Sequence, residues 1–201
     1  MELDREQREV AQTAARMIVE DGLDYATARR KALQEHGEGG RRLRDGPSNE
    51  AIEDEVRTHI AIFHAETQPA ELRALRETAL RWMLRLAEFR PHLGGAVWRG
   101  TATRQSVVRL DLYCDDTKAP ELALLNRGIA YETVSEPLGR GEHSLTLVIS
   151  ERNAALGDWV TLHLNVLDLD DLRGALKPDA RGQTWRGDAS ALQRRLEQEA
   201  A

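Results

Sequence analysis

The hydrophobic period of this chain changes near residue 90, and that change limits the fold more than any single motif. Before it, apolar residues recur at helical spacing; after it, they alternate. A chain patterned this way is expected to be α+β, with a helical N-terminal half and a small mixed β-sheet behind it.

The helical half divides into four segments. Residues 4 to 20 carry Val10, Ala14, Met17 and Ile18 on one stripe, and Gly22 closes the helix. Asp24 caps a second helix from Tyr25 to His36, with Gly37 as its stop. Gly39, Gly40 and Gly46, interspersed with Arg41, Arg42 and Arg44, read as a solvated linker. Pro47 and Ser48 open a third helix, 49 to 65, whose face is Ile52, Val56, Ile60 and Phe63. Pro69 suits the first turn of a fourth, which runs to about Phe89. Its face is Leu72, Leu75, Leu80, Leu84 and Leu86, with Trp82 and Met83 beside them. Each helix is amphipathic and needs a surface to pack on.

In the second half, Val107 to Cys114 alternates as a strand, and Glu121 to Arg127 is a short helix stopped by Gly128. Further strands are expected over Ile129–Val134, Ser144–Ile149 and Trp159–Val166, with turns at 138–143 and 151–157. Asp170 to Leu176 reads as a helical turn, 177–188 as a loop, and Asp188 caps a last helix through Leu196. The expected organisation is a helical extension and linker over 1–46, a main domain over 47–176 (helices 49–89, sheet region 90–176), and a C-terminal loop and helix over 177–201.

Charge and composition exclude some functions. A net charge of -6 with a pI near 5.6 disfavours non-specific nucleic-acid binding, which needs a basic face. Aromatic residues at 4% do not supply a stacking platform for single strands. Cys114 has no partner for an internal disulfide and reads as a structural thiol. The charged N-terminus does not resemble a signal peptide, and no apolar run approaches the roughly 18 residues of a membrane span. A cytoplasmic location without membrane association is therefore expected.

The chemistry concentrates between Gly94 and Leu112. A Gly-Gly turn, Gly94-Gly95, leads to an Arg-Gly pair, Arg99-Gly100, then a polar loop, then Ser106 opening a hydrophobic strand. This skeleton resembles the signature of the polymerase-beta-like nucleotidyltransferases: Gly-Ser, Arg-Gly, a loop, and Ser-Asp-x-Asp-Leu. Gly95, Arg99, Gly100, Ser106 and Leu110 match it. Ala96 stands where the first Ser belongs, and Val107 and Arg109 replace the two acids. Wider segments, Phe89-Arg90-Pro91-His92-Leu93, Gly100-Thr101-Ala102-Thr103-Arg104 and Asp170-Asp171-Leu172-Arg173-Gly174-Ala175-Leu176, look like a family of bacterial proteins similar to minimal nucleotidyltransferases with an eroded Ser-Asp-x-Asp motif.

The resemblance implies a sheet of nucleotidyltransferase type. In that superfamily two divalent ions held by paired carboxylates bridge the reacting phosphate. Here residues 107, 109, 111 and 113 share one strand face, and Asp111 is its only carboxylate. A third acid would come from a neighbouring strand, for which 159–166 is the candidate; it offers Thr161, His163 and Asn165 instead. Arg109 is expected to pair with Asp111 or with a phosphate.

The leading expectation is a catalytically degenerate nucleotidyltransferase-like protein that binds a nucleotide, a nucleic-acid end or a protein partner. Gly94, Gly95, Arg99, Gly100, Arg104, Ser106, Arg109, His163 and Asn165 are the candidate ligand contacts, because guanidinium matches phosphate without a metal. No metal site or cofactor is expected in that reading. The first alternative is an active enzyme, with Asp111 as catalytic carboxylate and an acid of the 168–171 cluster sharing Mg²⁺ with it. The second is an interaction module whose cleft is packed shut by Trp98, Val107 and Tyr113; the oligomeric state is left open.

Weaker motifs fall away. His59 and His64 lack the spacing of two ligands on one helix face. Asp158, Asp168, Asp170 and Asp171 lack the Gly and terminal Glu of a calcium loop, so a capping role before Leu172 is expected of them. The glycines at 37–40 have no following Lys-Ser, and no Gly-x-Ser-x-Gly elbow occurs.

Overall fold

The computed structural model describes residues 5–36, 46–139, 142–178 and 182–199. Arg41, Arg42 and Arg44, with Gly37, Gly39 and Gly40, lie outside the described residues. The chain forms two compact units, residues 1–69 with 101–106, and residues 70–100 with 107–201.

The first unit is built on α1 (Arg5–Asp21), α2 (Tyr25–His36) and α3 (Asn49–Phe63). Their caps are those the sequence offers. Asp24 Oδ1 accepts from the Ala26 and Thr27 N–H groups at 3.0 Å, and Ser48 Oγ from Ala51 N–H at 3.2 Å. Val10, Ala14, Met17 and Ile18 bury against Ala28, Ala32, Ile52, Val56 and Ile60. Small alanines at the contacts let the helix axes come close. Phe63, expected on the buried face of α3, is two-thirds exposed because it is the last residue of the helix. The α3 helix packs with α1 and α2, and the first unit runs through Pro69, in the first turn of α4 (Gln68–Arg85).

The segment 101–106 completes this unit. Thr103 Oγ1 donates to Val19 O at 3.1 Å, and Gln68 Nε2 to Ala102 O at 2.9 Å. Gly22, at φ +67°, lies so close to this segment that a Cβ there would sit 2.6 Å from Gln105 O.

The second unit holds the sheet. Its strands are β1 (His92–Gly94), β2 (Val108–Cys114), β3 (Glu132–Gly139), β4 (Glu142–Asn153), β5 (Asp158–Asp168) and β6 (Arg186–Gly187), in the order β3-β4-β5-β2-β1-β6. β2 and β5 are parallel and the other pairs antiparallel, so the sheet is mixed and the fold α+β. β3 and β4 are longer than alternation indicated and take in 138–139, 142–143 and 151–153 of the turns expected at 138–143 and 151–157, while 154–157 is a turn. A helix α5 (Gly95–Arg99) joins β1 to β2, α6 (Ala119–Asn126) follows β2, and α7 (Ala189–Gln198) follows β6.

One sheet face is apolar. Val108, Leu110 and Leu112 of β2, Leu162 and Leu164 of β5, and Leu147 of β4 are all fully buried on it. α4 is tied to the same side: Trp82 Nε1 donates to Glu151 Oε2 at 3.0 Å, and Asn153 Nδ2 to Thr78 Oγ1 at 2.9 Å. The buried stripe of α4 is Leu72, Leu75, Ala79 and Met83, continued by Leu86 just past its end. Leu84 was expected on it and is exposed, since it falls on the far side of a helix with this stripe.

Candidate functional site

The opposite sheet face carries the polar residues. Alternation places Arg109, Asp111 and Tyr113 of β2 there. The parallel register sets His163 beside Arg109 and Asn165 beside Asp111. β5 is thus the neighbour of β2 that the resemblance required, and its polar side is half-buried. On the other flank, Gly94 pairs with both Arg109 and Arg186, and His92 with Asp111.

Both oxygens of Asp111 are committed. Oδ2 lies 3.1 Å from Arg186 Nε, and Oδ1 accepts from Asn165 Nδ2 at 2.8 Å. Asn165 Oδ1 in turn accepts from Thr146 Oγ1 at 3.1 Å. A second arm of Arg186, Nη1, donates to the Tyr113 hydroxyl at 2.9 Å. Asp111 is only 7% exposed, so this pairing replaces its hydration. Burial pushes the Tyr113 hydroxyl above the ordinary phenol range, against the pull of Arg186. The His92 and Tyr113 rings meet nearly at right angles, 5.3 Å between centroids.

Arg109 does not pair with Asp111, as the sequence led one to expect; Arg186 takes that place. Among the described residues the Arg109 guanidinium has no hydrogen-bond or ion-pair partner. Its stem lies against the Gly-Gly turn. Gly95 has φ +66°, and a Cβ on it would sit 3.4 Å from Arg109 Cδ. An unneutralised, half-buried guanidinium beside a turn without side chains can meet an oxyanion directly.

The remaining candidates are placed differently. Arg99 leaves the sheet and lies over the Trp185 ring, 4.4 Å from its centroid. Gly100, at φ +82°, ends α5 by donating its N–H to Ala96 O. Arg104 and Ser106 belong to the first unit, where Ser106 Oγ closes a turn by accepting from Thr103 N–H at 3.0 Å. Trp98 packs on Gly187, which pairs with Leu93 and so lies on the Leu110 side of the sheet; it does not fill the Asp111 face. Tyr113 does lie on that face, buried beneath Arg186.

Carboxylates do not gather at Asp111. Asp168 is opposite Cys114 on the other side of the strand pair, about 10 Å further along at 3.3 Å per residue. Its carboxylate caps the 3₁₀ turn Leu169–Leu172 by accepting from Asp170 N–H at 2.8 Å, which is the capping role expected before Leu172. Among the described residues no three His, Cys, Asp or Glu side chains are grouped to hold a metal ion. Burial and the acids Asp116, Asp115 and Asp168 push the Cys114 thiol up, which makes it a poor nucleophile. No helix among the described residues is long and apolar enough to cross a membrane.

No protein-family model matches the chain, and no curated protein matches it in sequence. Arg186 is the residue of this face that sequence reading missed. It sits in a short strand inside a Pro-, Gly- and charge-rich stretch, and nothing local marks it.

Proposed function

We propose that this chain is a catalytically degenerate nucleotidyltransferase-like protein that binds a phosphate-bearing ligand, a nucleotide above all, on the polar sheet face. The observation that carries this reading is the division of labour between two arginines. Arg186 neutralises Asp111, the one carboxylate in line with the eroded motif, and the Arg109 guanidinium beside Gly94 and Gly95 has no partner among the described residues. A divalent ion at Asp111 would have to displace a guanidinium held by both Asp111 and Tyr113. Arg109 can neutralise phosphate charge but cannot activate a nucleophile, so the supported role is binding without transfer. His163 and Asn165 would line the same ligand, and Arg104 and Ser106 are not needed for it.

The test is a thermal-shift titration with ATP, CTP, GTP and UTP, each with and without Mg²⁺. Ligand at 100 times Kd adds about 2.7 kcal/mol to the folded state. A metal-independent rise that disappears in Arg109→Gln supports the proposal. A rise that requires Mg²⁺ and disappears in Asp111→Asn supports the active enzyme instead. No shift with any nucleotide leaves the protein-interaction module, for which the buried Tyr113 speaks.

A further inference from the structure

Behind the sheet, on the Leu110 side, two arginines converge on the end of α5. Arg76 of α4 is only 4% exposed. Its Nε donates to Val97 O at 3.0 Å and its Nη2 to Trp98 O at 3.3 Å, so two arms are fixed by carbonyls at the C-terminal end of α5. Arg195 of α7 lies flat on Trp98, with Cζ 3.7 Å from the ring centroid, and Nη1 donates to Trp98 O at 2.7 Å. Capping α5 uses only some of the five N–H donors each guanidinium carries. The pair borders a cavity of about 470 Å³, lined also by Leu72, Gly100, Gln198 and Glu199.

One carboxylate answers these two cations among the described residues. Glu199, at the end of α7, pairs with Arg76 Nη1. The cationic surplus persists with Glu199 in place. Burial and then the charge of Arg195 lower the Arg76 pKa to about 10, and Arg195 is lowered by burial and by Arg99. Gly100 keeps the cavity floor open: a Cβ there would sit 3.6 Å from Arg76 Nη2.

We propose that this cavity is a binding site for a phosphate group, with Glu199 as an internal occupant that the ligand displaces. A phosphate brings up to two negative charges and several acceptor oxygens to two guanidiniums already oriented by Trp98 and the α5 carbonyls. The Gln198 amide, on the cavity wall, can add a neutral donor. The site is independent of Arg109, which lies on the other face of the sheet.

Pyrophosphate is the probe, titrated calorimetrically into the full chain at constant ionic strength, with Arg109→Gln in every variant to silence the opposite face. Removing the competitor in Glu199→Gln is expected to tighten pyrophosphate binding by about five-fold, the upper end of what losing one partly exposed ion pair gives. Arg195→Gln is expected to abolish it. Equal affinity with and without the Glu199 carboxylate, or binding that survives Arg195→Gln, overturns the proposal. Should Glu199→Gln fail to fold, phenylglyoxal labelling of the unaltered chain decides. Pyrophosphate must slow modification of Arg195 more than sodium chloride of equal ionic strength, and an unchanged rate overturns the site.

Discussion

Asp111 Oδ2 lies 3.1 Å from Arg186 Nε, an ion pair that closes a chain of contacts from Thr146 through Asn165 to Tyr113. Asp111 is nearly buried, whereas the Arg186 side chain is one-third exposed, so solvent screens part of the attraction. The pair should therefore be stronger than a surface contact and weaker than a dry one. In a double-mutant cycle, Asp111→Asn and Arg186→Gln should each cost about 1–3 kcal/mol, with a coupling energy of about 1–2 kcal/mol. Trp82, Trp98, Trp159 and Trp185 all fall in the second unit, so tryptophan fluorescence during urea unfolding reads this unit alone. Coupling within experimental error would mean that Arg186 does not hold Asp111.

Gly187 supports the other face. A Cβ there would sit 2.1 Å from Trp98 Cη2, inside any real contact distance. The indole cannot step aside easily, because Nε1 donates to Thr184 O at 2.9 Å and Arg195 covers the ring. Gly187→Ala should cost about 3 kcal/mol or more, at the top of the range for overpacking. Gly95→Ala should cost less, roughly 1–2 kcal/mol, because it meets only the left-handed backbone penalty and ordinary contact with Arg109. Melting temperatures of the two variants test the order, and a Gly95→Ala protein less stable than Gly187→Ala would reverse it.

Much of this arrangement was legible in the sequence because period and caps agree. Ser48, Asp24 and Asp188 mark helix starts and do cap them. Strand alternation put Arg109 and Asp111 on one face, and β5 supplied His163 and Asn165 in register. The short elements were not legible: β1, α5 and β6 have three, five and two residues, too few for a period to show. Nothing in the sequence singles out Arg76 or Arg195, since helix spacing alone does not reveal that α5 ends between them. The attachment of residues 101–106 to α1 rests on Thr103 and Val19, a contact that no local pattern encodes.

Tyr113 gives the second unit an alkaline signature. Its folded-state value is raised, first by burial and also by Asp111, while Arg186 opposes. A phenol raised on folding stabilises the folded state below the unfolded value of about 10, and that contribution is lost as pH rises through the folded value. Stability of the second unit should therefore fall above about pH 10, and Tyr113→Phe should flatten the fall. Urea unfolding of both proteins at about pH 9 and about pH 11, followed by tryptophan fluorescence, measures the difference. Parallel pH dependence in the two proteins would show that Tyr113 ionises as easily folded as unfolded.

The attachment of α4 to β4 can be tested at a single hydrogen bond. Asn153 donates from Nδ2 to Thr78 Oγ1 at 2.9 Å, and its Oδ1 accepts from Leu156 N–H at 3.0 Å, so one side chain both anchors a helix and shapes the β4–β5 turn. Thr78 is fully buried and Asn153 nearly so, which denies water to any group left unpaired. Asn153→Ala should cost about 2–3 kcal/mol, because it loses both bonds. Thr78→Val should cost about 1–2 kcal/mol, because it leaves the Asn153 amide without its acceptor and removes the longer, 3.5 Å contact from Arg81 Nη2. The double variant should cost less than the sum, since the shared bond is counted twice in the single changes. Additive losses would place the role of Asn153 in the turn alone and leave α4 to be held by Trp82 and Glu151.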